Sequence, residues 1–285
     1  MPRQEIFDLF ERMFLVAEEE LLRFTRSVPL VVNQKADKTV VTECDSAIDV
    51  KTSRLAAQYG IPIVSEEGEQ SAHVVSRGLY CAIDPIDGTQ EYIECVNDAL
   101  GTSGAPNFLK SPTPSQRNFC FLTGIVQDGL AVYGGCYNFV TKEKFLIDAR
   151  ARRLDRSGAS SWAGGLTDTS VVYTDPRVRT DPVHGERLQK IVEKVPGTKV
   201  VVQGSFGLNA LHALLNGHND ALVYHPVQNA GLWDIVPAAV AAHAYGGEIF
   251  DGQGKPLQLS SYVMIPGPGL YVLKGEKFRF VIDEI

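Results

Sequence analysis

The stretch YCAIDPIDGTQEY, Tyr80 to Tyr92, restricts this chain more than any other. It opens on apolar residues suited to a buried strand, then sets Asp84 and Asp87 on either side of Pro85-Ile86 and follows them with Gly88-Thr89. Two carboxylates leaving the end of a strand are costly near a core unless something compensates their charge. A hard cation does so through oxygen ligands, and Mg2+ takes one or two carboxylates together with phosphate oxygens. Pro85 stiffens the turn, and Gly88 lets a ligand approach the backbone. A helix starting there would turn its free N–H groups towards a phosphate. Asp-Pro and Asp-Gly are also ordinary turn pairs, so the segment alone reads either as a surface turn or as a combined metal and anion site.

Length and charge narrow the classes. A chain of 285 residues, 44% hydrophobic and 21% charged, suits one large or two ordinary globular domains. The net charge of -7 argues against a nucleic-acid polymer as partner, yet leaves room for a small anion beside bound cations. No apolar run approaches a membrane span, and MPRQEIFDLFERMF carries charges where a signal peptide needs an apolar core. Five scattered cysteines without a C-x-x-C pair fit the reduced thiols of a cytoplasmic protein.

Taken in order, Gln4 to Arg26 has the three-four apolar spacing of an amphipathic helix, with Glu18, Glu19 and Glu20 expected on a solvated face. Lys35, Asp37 and Lys38 belong to a polar loop. Thr42 then reads as the N-cap of a helix through about Gln58, with Asp45 in the capping-box position. Asp45 has a second reading, as holder of a cation or of the attacking water, and the local pattern fits both. Gly60 to Ser65 reads as a turn and a strand delivering Glu66 and Glu67; neighbours on an extended chain point opposite ways, so one of the two enters a site. Cys95 to Asn118 reads as a long loop, followed by antiparallel strands Phe119–Val126, Ala131–Asn138 and Lys144–Asp148. Ala149 to Gly165 has the composition of a linker, dividing the chain into domains 1–150 and 151–285. The second half alternates strands and helices. It closes on Leu232-Trp233-Asp234 opening an alanine-rich helix that stops at Gly246-Gly247, with Asp234 placed either for the helix dipole or as a distant metal ligand.

Four patches in this order, V-T-E-C-D (Val41 to Asp45), S-E-E (Ser65 to Glu67), D-P-I-D-G-T (Asp84 to Thr89) and W-D (Trp233-Asp234), resemble the inositol monophosphatase superfamily of Mg2+-dependent, lithium-sensitive phosphatases. The resemblance implies a layered αβαβα sandwich, α+β to α/β in class, with a mostly antiparallel N-terminal sheet and a mixed C-terminal one. It implies two or three Mg2+ per site. Glu66, Asp84 and the Ile86 carbonyl would hold the first ion; Asp84, Asp87 and Asp234 would hold the second; Asp45 would lie near a third. Gly88 and Thr89 would offer backbone N–H groups to the phosphate, and Thr89 with Glu66 or Asp45 would orient and deprotonate the attacking water.

Thr89-Gln-Glu-Tyr92 and the long segment after it look nearest to the 3'(2'),5'-bisphosphate nucleotidases and inositol polyphosphate 1-phosphatases. Those branches usually carry a lysine where Leu208 stands in Gly204-Ser-Phe-Gly-Leu-Asn209, and often show Gly-Pro-Thr before W-D where His225-Pro-Val-Gln-Asn229 stands here; Asn209 is closer to the inositol monophosphatase pattern. Ser205, Asn209, His225 and Gln228 are the expected substrate contacts. The combined reading is a Mg2+-dependent phosphomonoesterase, monomeric or homodimeric, acting on a small bisphosphate. An inositol-1-monophosphatase is the alternative, and a non-catalytic phosphate-binding protein of the same fold the remoter one.

Overall fold

A computed structural model describes residues 1–25, 31–34, 40–68, 78–101, 118–158, 170–259 and 264–284. The expected polar loop at 35–39, most of the expected loop after Cys95 and the end of the expected linker lie outside these residues. The long amphipathic pattern at the N-terminus forms helix α1, Arg3–Thr25, which buries Ile6, Leu9, Phe10, Met13, Phe14, Ala17 and Leu21 along one face. Glu20 departs from the solvated role: it is 3% exposed and ion-paired with Arg23 and Lys51. Helix α2, Glu43–Gln58, begins after the Thr42 cap with the expected capping box to Asp45.

The first sheet has six strands in the order β3 (Ile63–Ser65), β4 (Leu79–Asp87), β5 (Cys120–Gln127), β6 (Leu130–Asn138), β7 (Lys144–Asp148) and β8 (Arg153–Ser157). Only the β3–β4 pair is parallel. Strand β8 lies inside the stretch that reads as a linker. Its Arg156 joins buried Glu143 and Asn216. Residues 95–101, expected as loop, continue helix α3, Thr89–Gly101. A short two-stranded ribbon, β1 (Val32–Gln34) with β2 (Val40–Thr42), precedes α2.

The second sheet is mixed, in the order β10 (Lys199–Val202), β9 (Val171–Thr174), β11 (Ala221–Gly231), β13 (Met264–Lys274) and β12 (Glu248–Asp251). The β10–β9–β11 part is parallel and the rest antiparallel. Helices α4 (Pro182–Lys194) and α7 (Arg279–Asp283) cover its outer face, whereas α5 (Phe206–Leu215) and α6 (Leu232–Tyr245) pack between the two sheets. With α1 and α2 on the far side of the first sheet, five layers alternate as α, β, α, β, α. This is the layered sandwich the sequence implies. Both faces of the sheets are covered, which is why β4 and β5 read as continuous apolar runs rather than alternating ones. Among the described residues no helix is long and apolar enough to cross a membrane.

The central layer sets the position of the site. Helix α6 lies so close to the first sheet that a Cβ on Gly124 would sit 2.4 Å from Val236 Cγ1, and one on Gly134 would sit 3.1 Å from the Pro237 backbone. Small residues on both surfaces therefore bring the first turn of α6, with Asp234, down onto the end of β4. Substituting Gly124→Val should overpack this contact and cost about 1–3 kcal/mol. The thermal midpoint should fall by several degrees, and Val236→Ala in the same chain should recover part of the loss.

Candidate metal centre

Strand β4 does not run straight through its acidic end. Its register with β5 shifts between Asp84 and Asp87, across Pro85-Ile86, where proline has no N–H to give the ladder. Such an irregularity re-aims side chains at a strand end. Gly88 follows with φ +97, and a Cβ there would meet the Asn118 carbonyl and Phe119 at 3.1 Å, so the turn into α3 is open only to glycine. The chain thus delivers two carboxylates and a helix N-terminus to one place.

Asp234 arrives from the opposite side in the first turn of α6. Asp84, Asp87 and Asp234 each offer a carboxylate oxygen, and these oxygens lie within 4.8 Å of one another. Glu66, just past β3, contributes the charge that helps to raise the pKa of Asp84, Asp87, Asp234 and Asp45. Burial is the larger cause in each case. It pushes Asp84 and Asp234 well above the usual carboxylate range, and Asp87 and Asp45 up to about 6.

Helix N-termini hold three of these acids in place. Asp87 Oδ2 accepts from Ser205 Oγ at 2.6 Å and from Gly207 N at 2.7 Å, and its Oδ1 accepts from Phe206 N at 3.3 Å, all at the start of α5. Asp234 Oδ2 accepts from Gly231 N at 2.7 Å. Asp45 takes the capping role with one oxygen and meets Thr89 with the other. Oδ2 caps α2 through Thr42 N at 2.8 Å and Thr42 Oγ1 at 2.5 Å, while Oδ1 receives Thr89 Oγ1 at 3.2 Å. The Thr89 hydroxyl also lies 3.0 Å from the Ile86 carbonyl.

Asp84 Oδ1 is buried without a hydrogen-bond partner. An unpartnered carboxylate oxygen among like charges, in a cluster of carboxylate oxygens, fits a hard divalent cation such as Mg2+. Sulfur and imidazole, the donors zinc prefers, take no part in this cluster.

The expected substrate contacts fare differently. Ser205 and Asn209 are fully buried: Ser205 caps α5 and holds Asp87, and Asn209 Nδ2 donates to the Gln203 carbonyl at 3.0 Å. Ser205 thus supports Asp87, while Asn209 Oδ1 is buried with no hydrogen-bond partner. His225 is 7% exposed, its ring 5.1 Å from that of Phe206 and its Nδ1 3.9 Å from Asp175 Oδ2; burial lowers its pKa to about 4. The Gln228 side chain lies outside the described residues. The sequence reading passed over Glu91, whose carboxyl packs onto the backbone of Gly204, and which burial, then Asp175, Asp87 and Glu94, raise to about 8. It also passed over Asp175-Pro176-Arg177, although an Asp-Pro pair closing a strand is the same signal that marks Asp84-Pro85.

Comparison with known proteins identifies the family and the fold. The model of a family described as the inositol monophosphatase family matches residues 7–276. No curated protein matches the sequence significantly. Among solved structures, CysQ from Bacteroides thetaiotaomicron, a bacterial member of that family, superposes with a TM-score of 0.68 at 16% identity, covering 95% of this chain and 97% of that one. The SuhB extragenic suppressor protein of Bartonella henselae gives 0.65 at 17% identity over 98% and 97%. An IMPase/NADP phosphatase complexed with Mg2+ and phosphate gives 0.70 at 14% identity over 100% and 95%.

Two outcomes follow from the electrostatics. Carboxyl groups whose folded-state pKa is raised above the ordinary value near ~4 favour folding while they are protonated, and that contribution is lost as pH rises through the folded value. Without divalent ions, thermal denaturation should give a higher midpoint at pH 5 than the same acids allow at pH 8. Added Mg2+ should raise the midpoint more at pH 8 than at pH 5. Ser205→Ala, which frees Asp87 on one side, should weaken Mg2+ binding about 10- to 100-fold by calorimetry, as loss of a ligand-orienting bond does.

Proposed function

The chain belongs to the inositol monophosphatase family and is a phosphatase, and on that premise we propose that it hydrolyses a small phosphate ester bearing two phosphate groups, with Mg2+ as cofactor. The observation that carries this reading is the meeting of Asp84, Asp87 and Asp234 oxygens within 4.8 Å, beside the Gly88-Thr89 start of α3. Glu66, Asp84 and the Ile86 carbonyl would hold one ion, and Asp84, Asp87 and Asp234 another, with Asp45 near a third. Bound there, the ions would supply positive charge that polarises water and offsets charge building on the phosphoryl group.

The protein's own groups divide the remaining work. The first N–H groups of α3 have no partners within the helix, so those of Gly88 and Thr89 are suited to phosphate oxygens. Thr89 Oγ1 donates to Asp45 Oδ1, which gives a water beside Thr89 a route for its proton to a carboxylate whose pKa is about 6. A base in that range is ionised near neutral pH and still takes a proton readily. The bisphosphate preference is supported by the Thr89-Gln-Glu-Tyr92 segment. One observation favours a monophosphate instead: Leu208, where a bisphosphate enzyme would place a lysine, is fully buried and apolar, so α5 brings no cation. We place the enzyme in the cytoplasm as a monomer or homodimer.

Phosphate release with and without Mg2+ from inositol 1-phosphate, inositol 1,4-bisphosphate and adenosine 3',5'-bisphosphate tests the reading. The expected result is Mg2+-dependent turnover with kcat/KM at least about tenfold higher for a bisphosphate; negligible turnover of all three removes the proposal. Asp45→Asn and Thr89→Ala should each lower kcat by about 10²- to 10⁴-fold, while calorimetric Mg2+ binding at the Asp84 and Asp234 carboxylates persists.

A further inference from the structure

In the second sheet, Val202, Thr174 and Tyr224 stand abreast on three parallel strands. Gln203, Asp175 and His225 are therefore the next residues along one carboxyl edge. Ligands of open α/β sheets collect at such edges, and this one faces the acidic cluster. From β10 it continues into Gly204-Ser205 and the α5 N-terminus that binds Asp87. From β11 it leads to Asp234. From β9 it leads to Asp175, which caps a short 3-10 helix, Pro176–Arg179.

Arg177 is the cation at this edge. Its Nε donates to Asp175 Oδ1 at 2.7 Å and its Nη2 to Asp175 Oδ2 at 2.9 Å, a two-pronged contact that fixes the plane of the guanidinium. The Arg177 backbone N–H donates to the same Asp175 Oδ1 at 2.8 Å. The carboxylate is 8% exposed and the arginine side chain 50% exposed. A guanidinium has five N–H donors, so the Nη1 pair and the outer Nη2 proton remain for another acceptor. Burial opposes the charge on Arg177, but Asp175, Glu91 and Asp234 outweigh it, which agrees with a head group turned towards the cluster. Contacts lead from Asp175 to Asp87 through His225 and Phe206: His225 Nδ1 lies 3.9 Å from Asp175 Oδ2, the His225 and Phe206 rings are 5.1 Å apart, and Phe206 N donates to Asp87 Oδ1. Arg177 is thus linked to Asp87 through Asp175, His225 and Phe206, and it feels the charges of Glu91 and Asp234.

We infer that Arg177, held flat by Asp175, is the specificity-determining residue that receives a second anionic group of the substrate, a phosphate other than the one being cleaved. The inference rests on the hydrolase reading of the same site and deepens it. It also accounts for Leu208: the second sheet supplies, from the end of β9, the charge that α5 does not. A local turn-capping role would need only the Asp175 bond to the Arg177 backbone N–H, not a rigid fork with donors left over.

The test uses the full chain with Mg2+, comparing inositol 1,4-bisphosphate and adenosine 3',5'-bisphosphate with p-nitrophenyl phosphate, which has no second anion. Arg177→Gln should raise KM for the better bisphosphate about 10- to 100-fold, the factor expected for a lost charge-assisted bond. Its kcat, and kcat/KM for p-nitrophenyl phosphate, should stay within about threefold of the parent. Arg177→Lys keeps the charge without the fork and should fall between; it also serves should the glutamine variant not fold. Equal losses on both substrate classes, or an unchanged KM for the bisphosphates, overturn the role of Arg177 while leaving the phosphatase reading intact. Turnover of p-nitrophenyl phosphate but of neither bisphosphate does the same. No Mg2+-dependent turnover of any substrate by the parent chain overturns the reading beneath it.

Discussion

Mutual repulsion among crowded carboxylates is the constraint on which the centre of this molecule depends. Asp84, Asp87 and Asp234 share a space under 5 Å across, with the charge of Glu66 acting on all three. Nothing in the hydrophobic layers would draw such groups together. They are held by a division of labour between oxygen atoms: Asp87, Asp234 and Asp45 each commit at least one oxygen to the amides or hydroxyls at a helix start. Each such bond to a charged acceptor is worth more than a neutral one, and the positive end of each helix lowers the cost of the charge. Helix placement and acid placement are the same fact seen from two sides.

The central layer meets the same demand by close approach. An alanine-rich helix packed on Gly124 and Gly134 brings Asp234 within reach of β4. Another tie crosses the layers through amides. Asn138 Nδ2 donates to Asn118 Oδ1 at 3.1 Å, Asn118 Nδ2 to Gln203 Oε1 at 3.0 Å, and Gln203 leads directly into the α5 N-terminus. Buried polar chains of this kind are expensive when half made. Here the chain joins the first sheet to the turn that holds Asp87.

Legibility in the sequence followed the range of the interactions. Elements set by neighbours three or four residues apart were readable: α1 from its apolar stripe, α2 from the Thr42–Asp45 box, α6 from its alanines and its glycine stop. The candidate metal ligands were readable as a set only through the resemblance, because Asp84 and Asp234 have no local reason to meet. What depended on distant pairing was hidden. Arg156 looked like part of a linker because Glu143 and Asn216, its partners, are far along the chain. The burial of Ser205 and Asn209 at a helix start was hidden as well, because it depends on packing between distant elements.

The order of the chain carries a consequence for biosynthesis. Glu66, Asp84 and Asp87 belong to the first sheet, whereas Asp234 opens a helix beyond residue 230 whose neighbours β12 and β13 come later still. A nascent chain can therefore complete its early sheet with those acids still hydrated at an open end. Asp234 reaches them only when α6 docks, so the acidic cluster is completed by a late part of the chain.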